Sequence, residues 1–345
     1  MSEAAIALVK LIDSGALTLN APMDKTAILA MQDASALAPL IGDGAPQIWC
    51  PFYPWAKSLS QNFTKTLSET LPLNQKADCI IVLPSKQKDE AAYMIAAALS
   101  SLNEGGEMIV GAANDAGGNR LKNIIESFGG DVLDTHAKNK CKIITVQCTA
   151  DALKHDAIHA ALAQAAPQPI LDGAFISQIG LYGWDKVDIG SALLAQVMDN
   201  DLHGLGADFG CGYGFLTRAI LNANPKIRAL YVIDAEKRAV DLLRQNVVGH
   251  DSELHPVWDD LSAPDRLPKN LDFVVMNPPF HSGKSTESSL GRQFIATAHM
   301  SLKRYGRLFM VANTHLPYER TLDELFHKHH IMAQAHGYKV LYAEK

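Results

Sequence analysis

Four blocks of sequence recur in the same order, about 200 residues apart, and this repetition limits the fold more than any other feature of the chain. Ala77-Asp-Cys-Ile-Ile-Val-Leu-Pro84 is matched by Leu271-Asp-Phe-Val-Val-Met-Asn-Pro278. The run from Met94 to Leu102 is matched by Phe294 to Leu302. Gly106-Glu-Met-Ile-Val110 is matched by Gly306-Arg-Leu-Phe-Met310, and Lys142-Ile-Ile-Thr-Val146 by Lys339-Val-Leu-Tyr-Ala343. Apolar runs of strand length alternate with segments of helical period, which predicts a mostly parallel sheet covered on both faces, built twice. A length of 345 residues with 48% hydrophobic side chains suits two such domains. The expected division is 1–164, a short Ala/Pro-rich linker at 165–172 and 173–345.

The second half shows the plan most clearly. Leu205-Gly-Ala-Asp-Phe209 leads through a glycine-rich turn into a predicted helix from Phe215 to Ala223. Ala229 to Asp234 is a second strand, followed by helical spacing through Ala239, Leu242, Leu243 and Asn246. Leu271 to Met276 is a third. Leu290, Phe294, Ala298 and Leu302 then fall on one helical face. Gly306 to Ala312 and Tyr338 to Tyr342 read as the last strands.

Chemistry concentrates where these strands end. Asp208-Phe-Gly-Cys-Gly-Tyr-Gly214 places glycines at 210, 212 and 214. Such glycines permit left-handed backbone and let a ligand approach the main chain at the end of a strand, where open α/β sheets bind small molecules. Asp208 is the candidate partner for an amino group on that ligand. A nicotinamide dinucleotide fingerprint requires glycine where Phe215 stands, so the loop favours S-adenosylmethionine over a dinucleotide. Asp234, ending the next strand, has the position for ribose hydroxyls. Asp259 and Asp260 are candidates for the adenine amino group, and spacing does not choose between them.

Asn277-Pro-Pro-Phe280 decides between the readings. Two prolines stiffen the loop and withhold two backbone donors. That leaves carbonyls and the Asn277 side-chain oxygen as acceptors, which suits an amine nucleophile. Pro278 and Pro279 shape the loop, and Phe280 offers a flat face for a base. His281 is a candidate for contact with the base or a phosphate. An amine positioned in line with a sulfonium methyl needs no strong general base. Upstream, Trp184, Asp188 and Ser191 are candidates for the cofactor entrance, with Asp188 also a candidate N-cap for a helix beginning near Ser191. The N-terminal copy has neither the glycine loop nor the Asn-Pro-Pro-Phe element, and is expected to fold alike without holding the cofactor.

Bulk properties narrow the setting. No apolar run reaches the ~18–20 residues of a spanning helix. The first residues carry acids and no basic run, so no signal peptide is expected. Five scattered cysteines without a CxxC pair point to a reducing, cytoplasmic environment. Seven of the 13 histidines lie between His281 and His336, but without a partner acid or cysteine at ligand spacing, so no metal is expected. Net charge is −5 over residues 1–172 and −1 over 173–345. A basic surface for nucleic acid must therefore be local, with Lys303, Arg304 and Arg307 the obvious group.

The chain resembles small-subunit ribosomal RNA guanine-N2 methyltransferases of the RsmC type over essentially its whole length. The resemblance is most specific in Asn277-Pro-Pro-Phe-His281, Val311-Ala-Asn-Thr-His-Leu-Pro-Tyr318 and Val187-Asp-Ile-Gly-Ser191. It implies two tandem Rossmann-like methyltransferase domains, the first degenerate and concerned with substrate binding and stability, the second catalytic. It implies methyl transfer from S-adenosyl-L-methionine to the exocyclic N2 of a guanosine in 16S rRNA, with the small ribosomal subunit as partner. In that reading Asp208, Gly210, Gly212 and Asp234 hold the cofactor, and Asn277, Pro278 and Phe280 hold the target amine and base. The duplication inside one chain suggests a monomer. Similar loops act on adenine N6 or a glutamine amide, which are the alternative acceptors. A nicotinamide-dependent dehydrogenase and a non-catalytic RNA-assembly module are the readings from other classes.

Overall fold

The computed structural model describes residues 1–42, 44–59, 76–279 and 284–345, with the backbone alone for 284–288. The chain divides into two compact units. One comprises Met1–Pro167 with Gln178–Gly180, the other Gln168–Ser177 with Leu181–Lys345.

The first unit carries β1 (Thr26–Ala30), β2 (Gln47–Trp49), β3 (Ala77–Leu83), β4 (Leu102–Ala113), β5 (Asp131–Lys138) and β6 (Cys141–Gln147). They lie in the order β2-β1-β3-β4-β6-β5. The first four are parallel, and β6 is antiparallel to β4 and β5. The helix Lys88–Ser101, between β3 and β4, buries almost all its small and apolar side chains against this sheet.

The second unit begins with the hairpin β7 (Gln168–Ile170) and β8 (Phe175–Ser177). Part of the stretch expected to be a linker is therefore a strand. Its sheet contains β9 (Gly204–Phe209), β10 (Ile227–Asp234), β11 (Glu253–Trp258), β12 (Leu271–Met276), β13 (Leu302–Asn313), β14 (Lys328–Ala335) and β15 (Tyr338–Glu344). The order is β11-β10-β9-β12-β13-β15-β14, with β15 inserted antiparallel between β13 and β14. Strands β9 and β12 are buried on both sides, which explains their continuous apolar runs. In β12, Val274 and Met276 pack to one face with Ile295 and Tyr318, while Phe273 and Val275 pack to the other with Ile220, Leu243 and Phe309. The predicted helix Phe215–Ala223 is found with those limits. The helix before β13 ends at Ser301, so Leu302, expected on its apolar face, instead begins β13 and remains buried.

The repeated blocks occupy equivalent strands, and the equivalence extends to irregularities. Both β3–β4 and β12–β13 shift register one residue after their first pair, between Ala77 and Cys79 and between Leu271 and Phe273. The outer hairpins shift likewise, between Val132 and Asp134 and between Ile331 and Ala333. Shared bulges are hard to attribute to general α/β texture, because each is a local departure from the ladder. Among the described residues the sheet of the first unit has no counterpart of β11.

The histidine-rich run after Phe326 is largely strand β14. His329 Nε2 lies 2.7 Å from Asp323 Oδ1, and the His330 ring lies 4.9 Å from that of Tyr342. Among the described residues no group of three or more His, Cys, Asp and Glu is arranged to hold a metal ion, and no helix is long and apolar enough to cross a membrane.

Candidate active site

The chain runs outward from β9 through β10 to β11, then returns to β12 on the other side of β9. The loops leaving β9 and β12 therefore diverge at a switch point, which opens a crevice beyond their carboxyl ends. A small open cleft of about 60 Å³ lies there, lined by Tyr182, Lys186, Asp188, Ser191, the turn Gly210–Tyr213 and Asn277 among others.

The glycine turn is built as its composition requires. Gly210, Gly212 and Gly214 have φ of 77°, 54° and 100°. At Gly212 a side chain would be strained by its backbone, and at Gly214 a Cβ would also come within 2.8 Å of Leu243. The N–H of Gly210 donates to Ile233 O (2.8 Å), and that of Gly212 to Asp234 Oδ2 (2.9 Å). Asp234 Oδ1 takes the N–H of Glu236 (2.9 Å). Both Asp234 oxygens thus accept from backbone N–H groups and keep lone-pair capacity to spare. Burial nevertheless pushes this carboxyl up to about 6, against the pull of those N–H groups.

Asp208 does not line the cleft. It is fully buried, and Thr217 Oγ1 donates to its Oδ2 (2.6 Å), while Oδ1 is buried without a hydrogen-bond partner. Burial pushes its carboxyl up to about 7, and the nearby Asp234 adds to the rise. Its expected contact with a ligand amino group is therefore not direct in this geometry. Thr217 is the partner that sequence reasoning missed. It stands on the buried face of the helix after the turn, nine residues from Asp208, and only the closure of that turn brings the two together.

Asp259 and Asp260 separate clearly. The Asp259 carboxylate is buried and accepts N–H bonds from Asp260 (2.8 Å), Asp265 (3.2 Å) and Arg266 (2.7 Å). It organises the loop after β11. Asp260 is half-buried, and its Oδ1 takes both the N–H and the hydroxyl of Ser262 (2.8 and 2.7 Å).

Asn277 sits at the end of β12 with Pro278 buried and Pro279 exposed behind it. Its Nδ2 donates to Asp188 Oδ1 and to Ser191 Oγ, both at 2.8 Å. Its Oδ1 is buried and has no partner. Asp188 is also the N-cap of the helix Ile189–Val197, accepting from Ser191 N (2.8 Å), as its spacing predicts. Tyr182 donates its hydroxyl to Asp188 Oδ2 (3.2 Å). Phe280 and His281 lie outside the described residues.

The hairpin β7–β8 is fastened to this region. Asn246 accepts from Ile176 N (2.6 Å) and donates to Ile176 O and Tyr213 O (2.7 and 2.6 Å). The Arg218 guanidinium lies 3.4 Å from the centroid of the Phe175 ring and donates to Ala174 O. The Asn313-to-Tyr318 stretch serves packing: Tyr318 is fully buried, and a Cβ on Gly291 would overlap its hydroxyl. The expected basic group is largely neutralised. Lys303 pairs with Asp272, and Arg307 with Asp199 (3.2 Å) and Asp201 (2.8 Å).

A switch-point cleft with a left-handed glycine turn, a carboxylate ending the adjacent strand and an Asn-Pro-Pro corner defines an S-adenosylmethionine-dependent methyltransferase. Family models agree: "Methyltransferase small domain" matches 172–342, and "Methyltransferase small domain N-terminal" matches 24–160. Ribosomal RNA small subunit methyltransferase C of Shewanella amazonensis is 27% identical over 273 residues, covering 79% of this chain and 78% of that one. The protein of the same name from Pasteurella multocida is 26% identical, covering 85% and 86%. The Thermus thermophilus 16S rRNA N2 G1207 methyltransferase (RsmC), solved with AdoMet and guanosine, superposes with a TM-score of 0.77 at 22% identity, covering 99% of this chain and 91% of that one. The chain belongs to the methyltransferase small domain family, with the family's N-terminal domain and its methyltransferase domain in one chain.

Proposed function

We propose that this chain transfers a methyl group from S-adenosylmethionine to the exocyclic N2 of a guanosine in 16S rRNA, within the assembled small ribosomal subunit. The observation that carries the reading is the Asn277 carboxamide oxygen, which is buried, unpartnered and set at the switch point beside the glycine turn. A buried acceptor left open costs about 1–3 kcal/mol, and an incoming N–H relieves that cost.

The residues fit the cofactor. The turn Gly210–Gly214 admits a ligand against the main chain, Asp234 has spare lone pairs for ribose hydroxyls, and Asp260 has an oxygen for the adenine amino group. Asp208 and Asp259 act by fixing the loops. The bound cofactor supplies a methyl group on a positively charged sulfur. Asn277 accepts from the target amine together with main-chain carbonyls of the Pro278-Pro279 corner, aiming the nitrogen lone pair. Phe280 is assigned to stack on the base, and His281 to contact the base or a phosphate. A guanine leaving a helix must be unstacked at a cost of a few kcal/mol, which a loosened site in the particle reduces. The first unit is the substrate-binding domain and the second the catalytic one, the second beginning at Gln168 within the stretch expected as linker, 165–172. The enzyme works as a cytoplasmic monomer without metal.

The test is methyl transfer from labelled S-adenosylmethionine to unmethylated small subunits, naked 16S rRNA and protein extract, with nucleoside analysis. N2-methylguanosine, chiefly in subunits, is the expected product. Label on adenosine or on protein glutamine would sink the guanine assignment and keep the transferase.

A further inference from the structure

We propose that Asp188 and Ser191 are positioning residues for Asn277, fixing which end of its carboxamide meets the substrate. The proposal rests on the reading that Asn277 holds the target amine. A carboxamide is nearly symmetric in shape, and its two ends differ in function: one accepts, the other donates. Only the accepting end suits an amine whose lone pair must stay free for the methyl group.

The structure supplies the discriminating partner. Both Nδ2 hydrogens of Asn277 are engaged, one by Asp188 Oδ1 and one by Ser191 Oγ, each at 2.8 Å. Rotating the carboxamide by half a turn would set Oδ1 against the Asp188 carboxylate, which accepts only. Two acceptors in contact repel, so the flipped state is excluded and Oδ1 is left open. Asp188 is itself held from two sides, by the Ser191 N–H on Oδ1 and the Tyr182 hydroxyl on Oδ2. A helix start, distant in sequence by 89 residues, thereby sets the hydrogen-bonding polarity of the Asn-Pro-Pro corner. The arrangement also defines the acceptor class. The site offers the substrate a lone pair and no N–H from Asn277, so it selects a donor nitrogen and discriminates against a carbonyl.

Two substitutions separate positioning from helix capping. In Asp188→Asn the amide oxygen inherits both bonds now made to Oδ1. In Asp188→Ser the shorter side chain still caps the helix but does not reach Asn277. We expect D188S to lose at least tenfold in kcat, with KM for the subunit and the dissociation constant of S-adenosylmethionine changed less than threefold and Tm nearly constant. D188N should recover most of the loss. Selective 15N-asparagine labelling reads the contact without turnover: the Asn277 carboxamide signal, assigned by its absence in N277D, should exchange slowly in the wild type and D188N, and shift and exchange faster in D188S. A D188S enzyme with wild-type kcat, or a carboxamide signal indifferent to D188S, overturns the proposal. If the wild type makes no N2-methylguanosine, the functional reading fails instead, and the carboxamide signal alone decides whether Asp188 orients Asn277.

Discussion

Asp234 and Asp208 are the residues whose protonation the fold disturbs most usefully. Both carboxyls are raised by burial, to about 6 and about 7. Raised acids hold their protons longer in the folded chain than in the unfolded one. Their contribution to stability is therefore greatest near pH 4 and declines as pH rises to about 7. A cationic ligand that hydrogen-bonds the ionised Asp234 reverses that preference. Affinity for S-adenosylmethionine should be about tenfold weaker at pH 5 than at pH 7.5, with proton release on binding. Calorimetry in buffers of different ionisation enthalpy measures both, and Asp234→Asn should flatten the profile. Asn277 is the other decisive residue. Asn277→Ala should lower kcat by roughly a hundredfold, since it removes an oriented acceptor at the reacting nitrogen, while cofactor affinity stays within a few fold. Equal losses in cofactor affinity would place Asn277 on the wrong ligand.

The central strands β9 and β12 carry the site because they are the most constrained elements. Gly206 of β9 lies against the Phe273 ring of β12, where an added Cβ would come within 2.0 Å of the ring. Neither strand can shift, being paired on both sides. Gly206→Ala should cost about 2–3 kcal/mol in denaturant unfolding, or more if the sheet cannot relax. A variant as stable as the wild type would show that Phe273 has room to turn. Those strands were legible as apolar runs between a glycine turn and an Asn-Pro-Pro corner. Strand β14 was not, because one edge of the sheet needs little apolar surface and Lys328-His-His330 carries no period-2 signal. The helix limit at Ser301 was missed for a related reason: Leu302 satisfies both the helical face and the start of β13.

At the scale of the whole molecule, two copies of one plan have diverged in chemistry. Matching β1 with β9 and β3 with β12 through their ladders sets Ile28 where Asp208 stands and Leu83 where Asn277 stands. Both are fully buried aliphatic side chains, so the first unit has lost the polar anchors of the cleft without losing its core. Titration should find one S-adenosylmethionine per chain. A stoichiometry of two would mean that the first unit retains a site its residues do not explain. For the proposed RNA substrate, the net charge of −6 and the pairing of Lys303 and Arg307 with acids predict few phosphate contacts. The salt dependence of subunit binding should be correspondingly shallow, with a slope of about −3 or less in magnitude on logarithmic axes.

The sequence by itself determined the duplication, the alternating α/β order and the places of the glycine turn and the Asn-Pro-Pro corner, because apolar period, left-handed glycines and a proline-locked corner are local properties that survive without knowledge of neighbours. It also marked Asp188 as a helix cap, since that bond spans three residues. Tertiary structure alone decided that the same carboxylate reaches Asn277, 89 residues on, and that Asp208 turns inward to Thr217 while Asp259 is spent on its own loop. Each of these depends on which strands lie side by side. Strand order is set by the packing of both faces of the sheet and leaves no mark at the residues it brings together.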